Sequence, residues 1–201
     1  MPFPSLIHFT FLKESVRYGV NRKVENIKKS IKFIALTGIG IALFVTFTLC
    51  LQVPVFENYY LCLGYIVMAV YCYSMGAVSG TIAGCAGTFL YCVLTGGMRG
   101  MPGWVIGNLV IGITLGLTFK KTKTLNQLWL KAIINFLAIA ISTAVGILVL
   151  KSFTECILYA QPFALRAGKN VFAFVADVFV LEVSLPLCMG IDGKLLRIMK
   201  F

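Results

Sequence analysis

Long apolar runs separated by short polar gaps dominate the chain. Residues 33–56 carry no charge and are long enough to cross a bilayer as one helix. The next uncharged stretch, residues 58–98, would be roughly 60 Å long as a single helix, about twice what a bilayer needs. We therefore expect it to fold back at residues 74–80, where glycines lower the helix propensity. This predicts two spans, from about residue 60 to 75 and from about residue 78 to 95.

The second half of the chain predicts three further spans. Four glycines and a proline in residues 96–103 predict a loop, with Pro102 suited to the start of the next helix. Residues 151–170 are mixed in polarity and include Pro162 and Gly168, so we expect a long external loop there, with a short interfacial helix as an option. The predicted spans are one from the glycine-rich loop to residue 119, one at 129–150, and one at 171–190 that Asp192 and Gly193 end.

The composition agrees with this pattern. Of the 201 residues, 59% are hydrophobic and only 12% are charged, and the mean hydropathy is +0.92. A soluble domain needs far fewer apolar residues to fill its core. The chain is therefore predicted to be an all-α integral membrane protein, a compact bundle of six transmembrane helices with no room for a second soluble domain.

The net charge of +11 indicates how the bundle is oriented. The basic residues lie in the gaps between apolar runs, and not in the stripe that a nucleic-acid-binding surface requires. With six spans, fourteen Lys and Arg residues fall on one side of the membrane and four on the other. Because basic loops stay inside the cell, this asymmetry predicts that both termini are cytoplasmic.

The basic N-terminal segment forms a separate part of the prediction. Apolar side chains recur at helical spacing at Val16, Val20, Val24, Ile27 and Ile31, with Lys and Arg elsewhere around the helix. We expect residues 1–32 to be a cytoplasmic amphipathic segment on the inner leaflet, and residues 33–201 to be the six-helix membrane domain. A plain basic leader is the alternative.

The chain lacks residues that several classes of enzyme and metalloprotein require. His8 is the sole histidine and precedes the first span, whereas zinc sites and the common serine hydrolase triads require histidine. No phosphate-binding loop of the Gly-x-x-x-x-Gly-Lys-Ser/Thr type occurs. The seven cysteines lie mostly in apolar runs and contain no Cys-x-x-Cys pair. The chain is predicted to be no enzyme and to use no cofactor or metal.

Polar residues inside or near the later spans are the candidates for solute binding. Asp177 and Glu182 lie within the last span, where an unpaired carboxylate is costly. Trp104 and Asn108 share a helix face and suit a planar heteroaromatic solute. The predicted site consists of Trp104, Asn108, Asn170 and Asp177 near the outer face, covered by the loop around Arg99. Glu182 points elsewhere on its helix, and Asn135 is interpreted as a contact between helices.

Small residues at spacing four mark close helix contacts. Gly38 and Ala42 form such a pair in the first span, and similar pairs occur in the third and fourth spans. Most are interpreted as packing within the bundle. One of these faces is a candidate contact for a partner protein.

The order of these features resembles a known family. The motifs are YLCLG at 60–64, GAVSGTIAG at 76–84, PGWVIGN at 102–108, and Ala176-Asp177. Together they resemble the substrate-binding S component of energy-coupling factor (ECF) vitamin transporters, which are small six-helix subunits of bacterial micronutrient importers.

The resemblance implies high-affinity capture of a vitamin on the external side of the bacterial cell membrane, without catalysis. It also implies a transmembrane coupling subunit and two ATPase subunits as partners. In that family an Ala-x-x-x-Ala face on the first span meets the coupling subunit, and the nearest match here is Gly38 with Ala42.

Two other functions and several ligands stay open at this point. A stand-alone proton- or sodium-coupled carrier would use Asp177 or Glu182, although no inverted repeat is evident between the two halves. A membrane scaffold protein would leave these carboxylates unexplained. Riboflavin, folate, pantothenate, a pyridoxine-type vitamin and a queuosine precursor are all compatible ligands.

Overall fold

The computed structural model describes the backbone of residues 5–50, 53–56 and 59–199. Side chains are described from 24 to 50, apart from residue 26, and from 61 to 190. The helices in chain order are α1 (Ser5–Cys50), α2 (Gly64–Ser74), α3 (Ala77–Thr95), α4 (Met101–Thr122), α5 (Leu128–Thr143), α6 (Ser152–Tyr159) and α7 (Phe163–Met199). A π-helical segment, Ala144–Lys151, joins α5 to α6 without a break, and two short strands, β1 (Val53–Phe56) and β2 (Tyr59–Leu61), lie between α1 and α2.

The chain divides into two compact units, Met1–Leu36 and Thr37–Phe201. The first unit is helical from Ser5 onward, and its apolar side chains at Val24, Ile27 and Ile31 are exposed. The Lys29 ammonium lies 2.8 Å from the Glu25 carboxylate. This hydrogen bond and the charge of Lys29 lower the pKa of Glu25. The side chains of Val16, Val20 and His8 lie outside the described residues, so the amphipathic segment at 1–32 stays a prediction.

Five described helical segments are apolar and long enough to cross a membrane. They are Ile27–Cys50, Ala77–Thr95, Met101–Thr122, Leu128–Tyr159 and Phe163–Gly190. The prediction of a helical, multi-span membrane protein is therefore confirmed. Helix α2 is also apolar, but its 11 residues extend only about 16 Å, less than the roughly 30 Å of hydrocarbon in a bilayer. The count of six spans and the cytoplasmic termini stay predictions.

The outward side chains of these helices are apolar. Val78, Leu94, Ile141 and Phe179 are each more than 60% exposed. In water such a surface would drive aggregation, whereas lipid solvates it without cost. The surface thus agrees with burial of these helices in a bilayer.

The predicted boundaries of the first two spans were wrong. Helix α1 ends at Cys50, and Val53–Phe56 pairs with Tyr59–Leu61 as an antiparallel hairpin where a continuation of the helix was expected. Pro54 cannot donate a hydrogen bond within a helix, and the Val, Phe and Tyr residues of this segment favour extended backbone. The second apolar helix consequently begins at Gly64, about four residues later than predicted.

A long loop at 151–170 is also wrong, because most of the segment is helical and the short helix that was allowed there continues directly from the preceding span. The backbone continues through the π-helical segment and α6 to Tyr159, turns at residues 160–162, and enters α7 at Phe163. Pro162 begins the new helix, since its carbonyl accepts the amide hydrogens of Leu165 and Arg166 at 3.2 and 3.3 Å. Helix α7 then continues to Met199, past the expected end at Asp192 and Gly193.

The two glycine-rich connections were predicted correctly. Between α2 and α3 the chain reverses at Gly76, whose φ of 92° suits glycine and strains other residues. Between α3 and α4 it passes through residues 96–100, and Pro102 lies in the first turn of α4. The first connection lies one residue from the predicted span ends at 75 and 78, and the second begins at residue 96 as predicted but ends at residue 100.

The core of the second unit lies between α2, α4, α5 and α7. Its largest buried side chains include Tyr65, Met68, Phe119 and Leu181. Helix α4 meets the π-helical segment backbone to backbone, since a Cβ atom at Gly107 would lie 2.9 Å from the carbonyl oxygen of Gly146. The two also approach closely at Lys151, which ends that segment, because a Cβ atom at Gly103 would lie 3.1 Å from its carbonyl oxygen.

Candidate functional site

A cavity of about 270 Å³ opens at the end of the second unit where α3 finishes and α4 begins. Its walls come from the ends of α1 and β2, from the glycine-rich loop at 96–100, and from α3, α4, α6 and α7. The lining combines two aromatic rings, two thiols, two threonine hydroxyls and three ionisable side chains. Such a mixture of stacking surface and convergent polar groups is typical of small-molecule sites.

Trp104 and Tyr91 form the aromatic wall of the cavity. Their ring centroids are 5.6 Å apart and the rings cross at 81°, an edge-to-face arrangement. The indole Nε1 of Trp104 donates a hydrogen bond to the Tyr65 hydroxyl at 2.9 Å. The orientation of the indole ring is therefore set by a residue behind the wall.

A chain of buried hydrogen bonds continues from that hydroxyl. Tyr65 donates to Oδ1 of Asn108 at 2.6 Å, and Nδ2 of Asn108 donates to the Thr88 hydroxyl at 2.6 Å and to the Gly84 carbonyl at 3.4 Å. The Tyr65, Asn108 and Thr88 side chains are fully buried. Because both ends of the Asn108 amide are occupied, this residue supports the wall and does not line the cavity.

A second part of the lining, the charged wall, carries ionisable side chains. Lys151, Glu155 and Asp177 line the cavity from the end of the π-helical segment, from α6 and from α7. Lys151 and Glu155 lie four residues apart and so share a helix face. Asp177 interacts electrostatically with Lys151 and with the Tyr65 hydroxyl. The charged wall and the aromatic wall therefore meet at Tyr65.

The π-helical segment contributes to this placement. π-Helical turns within α-helices are frequent at functional sites. Here the Ser152 hydroxyl donates to the carbonyl of Ile147, five residues earlier, at 3.3 Å. Ser152 in turn accepts a hydrogen bond from Nδ2 of Asn170 at 2.9 Å. The same Nδ2 donates to Oε2 of Glu155 at 3.1 Å, so Asn170 orients that carboxylate.

The structure brings the predicted site residues together in two layers. Trp104 and Asp177 line the cavity, while Asn108 and Asn170 are fully buried directly behind it. Arg99 is exposed and is not among the lining residues, although Gly97 and Gly100 of the same loop are. The expected direct contacts by the two amides are thus replaced by contacts to Tyr65 and Glu155.

Sequence reasoning missed Lys151, Glu155 and Tyr65. The first two fell in the segment interpreted as a loop, and their spacing of four within a continuing apolar helix was the signal for them. Tyr65 lies in an apolar run and looks like any core aromatic. Only the hydrogen bonds of its hydroxyl distinguish it.

Two other intramembrane polar residues lie away from the cavity lining. Asn135 accepts a hydrogen bond from the Thr122 hydroxyl at 3.0 Å, which confirms its interpretation as a contact between helices. Glu182 is half-buried, and its buried Oε1 has no hydrogen-bond partner among the described residues. In the described part of the chain, no three His, Cys, Asp or Glu side chains are grouped to hold a metal ion.

Gly38 and Ala42 lie on an exposed face of α1. A Cβ atom built on Gly38 would have no neighbour within 4 Å, and Ala42 is likewise exposed. The intervening Gly40 is different, because a Cβ atom there would lie 2.7 Å from the ring of Tyr71. Of these small residues, Gly40 packs inside the bundle and the other two face outward.

Comparison with known proteins gives a consistent result. A family model described as ECF-type riboflavin transporter, S component, matches residues 28–192. UPF0397 proteins from two strains of Streptococcus thermophilus, LMD-9 and CNRZ 1066, are each 27% identical over 164 residues, or 81% of this chain and 90% of theirs. Members of the family bind substrates for transport, are not enzymes, and cross the bacterial plasma membrane several times. The chain therefore belongs to the family of S components of ECF-type riboflavin transporters.

Proposed function

We propose that this S component captures a small, planar heteroaromatic, vitamin-like solute in the 270 Å³ cavity, for uptake driven by separate ATPase subunits. The observation that carries the proposal is the lining, which combines an aromatic wall with three ionisable side chains inside a membrane protein. Ionisable residues within a membrane domain are costly and usually mark a solute pathway.

The two walls have complementary roles. The Trp104 and Tyr91 rings offer the area on which a flat ring can stack. Their edge-to-face contact fixes the two ring planes relative to each other. Lys151, Glu155 and Asp177 offer hydrogen-bond donors and acceptors for polar substituents. The volume lies just below the range of about 300–1,000 Å³ common for drug-sized ligands, which favours a small solute or the ring system of a larger one. Riboflavin, folate and pyridoxine-type vitamins are the candidates, and the family description names the first.

The proposal includes an orientation. If α2 and its flanking hairpin complete a sixth crossing, fourteen Lys and Arg residues lie inside and four outside, and both termini are cytoplasmic. The end of the bundle where α3 meets α4 then faces outward, so the cavity opens to the external medium. The loop around Arg99 lies at this mouth, and residues 1–32 lie at the inner leaflet.

The partners are a transmembrane coupling subunit and two ATPase subunits. The chain contains no phosphate-binding loop of the Walker type, so energy must come from elsewhere. The exposed pair Gly38 and Ala42 offers a surface on which another helix backbone can approach closely. We assign this face to the coupling subunit.

The native cysteines allow a direct test. Cys92 lines the cavity and is 3% exposed, whereas Cys50 is exposed and lies outside it. Variants that retain only one of these thiols would be reconstituted in liposomes and treated with a methanethiosulfonate reagent, with riboflavin, folate, pantothenate or pyridoxine present. At least one vitamin should protect Cys92, and none should change the labelling of Cys50.

The same liposomes test the source of energy. Without the coupling and ATPase subunits, the protective vitamin should bind without accumulating. Accumulation driven by a proton or sodium gradient alone would support a stand-alone carrier and refute the proposal. Unprotected Cys92 with every vitamin would remove the cavity as the binding site.

A further inference from the structure

Helix α4 and the π-helical segment touch through their backbones at two places. A Cβ atom at Gly103 would lie 3.1 Å from the Lys151 carbonyl oxygen, and one at Gly107 would lie 2.9 Å from the Gly146 carbonyl oxygen. The second contact is reciprocal, because a Cβ atom at Gly146 would lie 2.9 Å from the carbonyl oxygen of Gly107. A side chain at any of these three glycines would therefore push backbone atoms of the other helix away.

The spacing of these contacts shows that the wide π-helical turn is part of the fit. Gly103 and Gly107 are four residues apart on α4, whereas their partners, Lys151 and Gly146, are five residues apart. In an α-helix, residues five apart point about 140° away from each other and do not share a face. In a π-helix the backbone hydrogen bonds join residues five apart, so such residues do share one. The glycine face of α4 thus matches the π-helical turn and not an α-helical one.

This contact also joins the two walls of the cavity. Trp104, which belongs to the aromatic wall, directly follows Gly103 in the chain. Lys151, which belongs to the charged wall, is the residue whose backbone lies against Gly103. The separation of Trp104 from Lys151 is therefore set by how closely α4 and the π-helical segment approach each other.

We propose that Gly103 and Gly107 are positioning residues for solute binding, because they let the π-helical segment approach α4 closely enough for Lys151 to reach a solute held at Trp104. This inference rests on the proposed function and adds what sets the width of the cavity. Neither glycine is among the residues that line the cavity. A methyl group at either position moves Lys151 away from Trp104, so a solute can no longer contact both residues at their native separation.

Riboflavin is the probe for the binding test, since the matching family model describes a riboflavin transporter. Its affinity would be measured from the quenching of its own fluorescence as the full chain is titrated in mild detergent. Gly107→Ala should weaken binding about threefold or more, which corresponds to the loss of one hydrogen bond. Gly103→Ala should weaken it less, because the added methyl group overlaps less with its neighbour. If Gly107→Ala does not fold, Gly103→Ala decides.

Gly112→Ala is the matched control. It also adds a methyl group to a tightly packed face of α4, but that group would lie 2.6 Å from the Thr81 hydroxyl oxygen of α3 and not against the π-helical segment. Gly112 does not line the cavity. Riboflavin affinity per folded protein should therefore be unchanged in this variant.

A double variant tests whether Gly107 acts through Lys151. Lys151→Met removes the ammonium group and keeps a long side chain. Once Lys151→Met is present, Gly107→Ala should cost little further affinity, whereas the effects of independent sites add. A fully additive loss would show that Gly107 affects binding by another route and would overturn the inference.

A measurement without ligand keeps the inference testable whether or not riboflavin binds. In a Trp129→Phe background Trp104 is the sole indole. A nitroxide attached to Lys151→Cys, as the sole reactive thiol, would quench its fluorescence with a steep dependence on distance. Gly103→Ala and Gly107→Ala should each reduce this quenching, and Gly112→Ala should not. Equal quenching in all of these variants would overturn the inference.

The outcomes separate this inference from the proposed function. Full riboflavin affinity in Gly107→Ala, with protection of Cys92, would overturn the inference and leave the proposed function intact. Failure of every vitamin to protect Cys92, with reduced quenching in both glycine variants, would refute the proposed function while the positioning of Lys151 by the two glycines stands.

Discussion

The substitution Tyr65→Phe isolates the hydrogen bonds that hold the aromatic wall. It removes a single oxygen atom and keeps the ring that packs in the core, where Tyr65 is 0% exposed. That oxygen accepts from Nε1 of Trp104 at 2.9 Å and donates to Oδ1 of Asn108 at 2.6 Å. The change therefore breaks the chain of hydrogen bonds at its centre without opening a large cavity.

The expected loss of free energy follows from these two hydrogen bonds. Each neutral hydrogen bond contributes about 0.5–1.5 kcal/mol net, so the pair amounts to about 1–3 kcal/mol. In the variant, the buried Oδ1 of Asn108 and Nε1 of Trp104 both lose the hydroxyl that they share. If ligand binding requires the native indole orientation, this free energy appears as a loss of affinity of roughly 5- to 150-fold.

Intrinsic fluorescence provides the assay. The chain has two tryptophans, and Trp129 is 83% exposed, so a Trp129→Phe background leaves Trp104 as the sole indole. In that background Tyr65→Phe should shift the Trp104 emission to longer wavelength and weaken binding of whichever vitamin protects Cys92. Tyr73→Phe is the control. It also removes a hydroxyl from α2, but Tyr73 does not line the cavity.

An affinity within about twofold of the unmodified protein, with unchanged Trp104 emission, would show that the hydroxyl does not set the orientation of the indole, because a twofold change is below the energy of one hydrogen bond. Equal losses in Tyr65→Phe and Tyr73→Phe would point to a general loss of stability. Thermal unfolding of both variants separates that case.

The remaining predictions concern the partner surface and the topology. Gly38→Leu or Ala42→Leu should abolish copurification of the coupling subunit while ligand binding survives, because both residues face outward. Gly40→Leu should instead destabilise the protein itself, since a Cβ atom there would lie 2.7 Å from a tyrosine ring of α2. Loss of ligand binding in all three variants would contradict a partner role. Cysteines introduced at Gly97 and Lys123 should react with impermeant reagents from opposite sides of the membrane, and labelling from one side would disprove the six-span orientation.

Much of the fold could be predicted from the sequence because it depends on local residue preferences. The apolar runs, the reversal at Gly76 and the helix start near Pro102 depend on properties of neighbouring residues, and they were predicted correctly. The hairpin after α1 and the helix through residues 151–159 were not predicted. Each contains residues whose local preferences are compatible with more than one backbone conformation. Pro162 fits a loop as well as a helix start, and only the hydrogen bonds to its carbonyl decide between them.

For the candidate site, too, the sequence and the tertiary structure determine different things. The residue types alone made Trp104, Asn108, Asn170 and Asp177 candidates for a site, because polar groups are costly in a membrane. Their roles were decided by tertiary structure. Two of them line the cavity and two support it, and Glu155 enters it from a segment whose polarity suggested a loop. Hydrogen bonds between residues up to 43 positions apart set these roles, and no local pattern in the sequence encodes such distances.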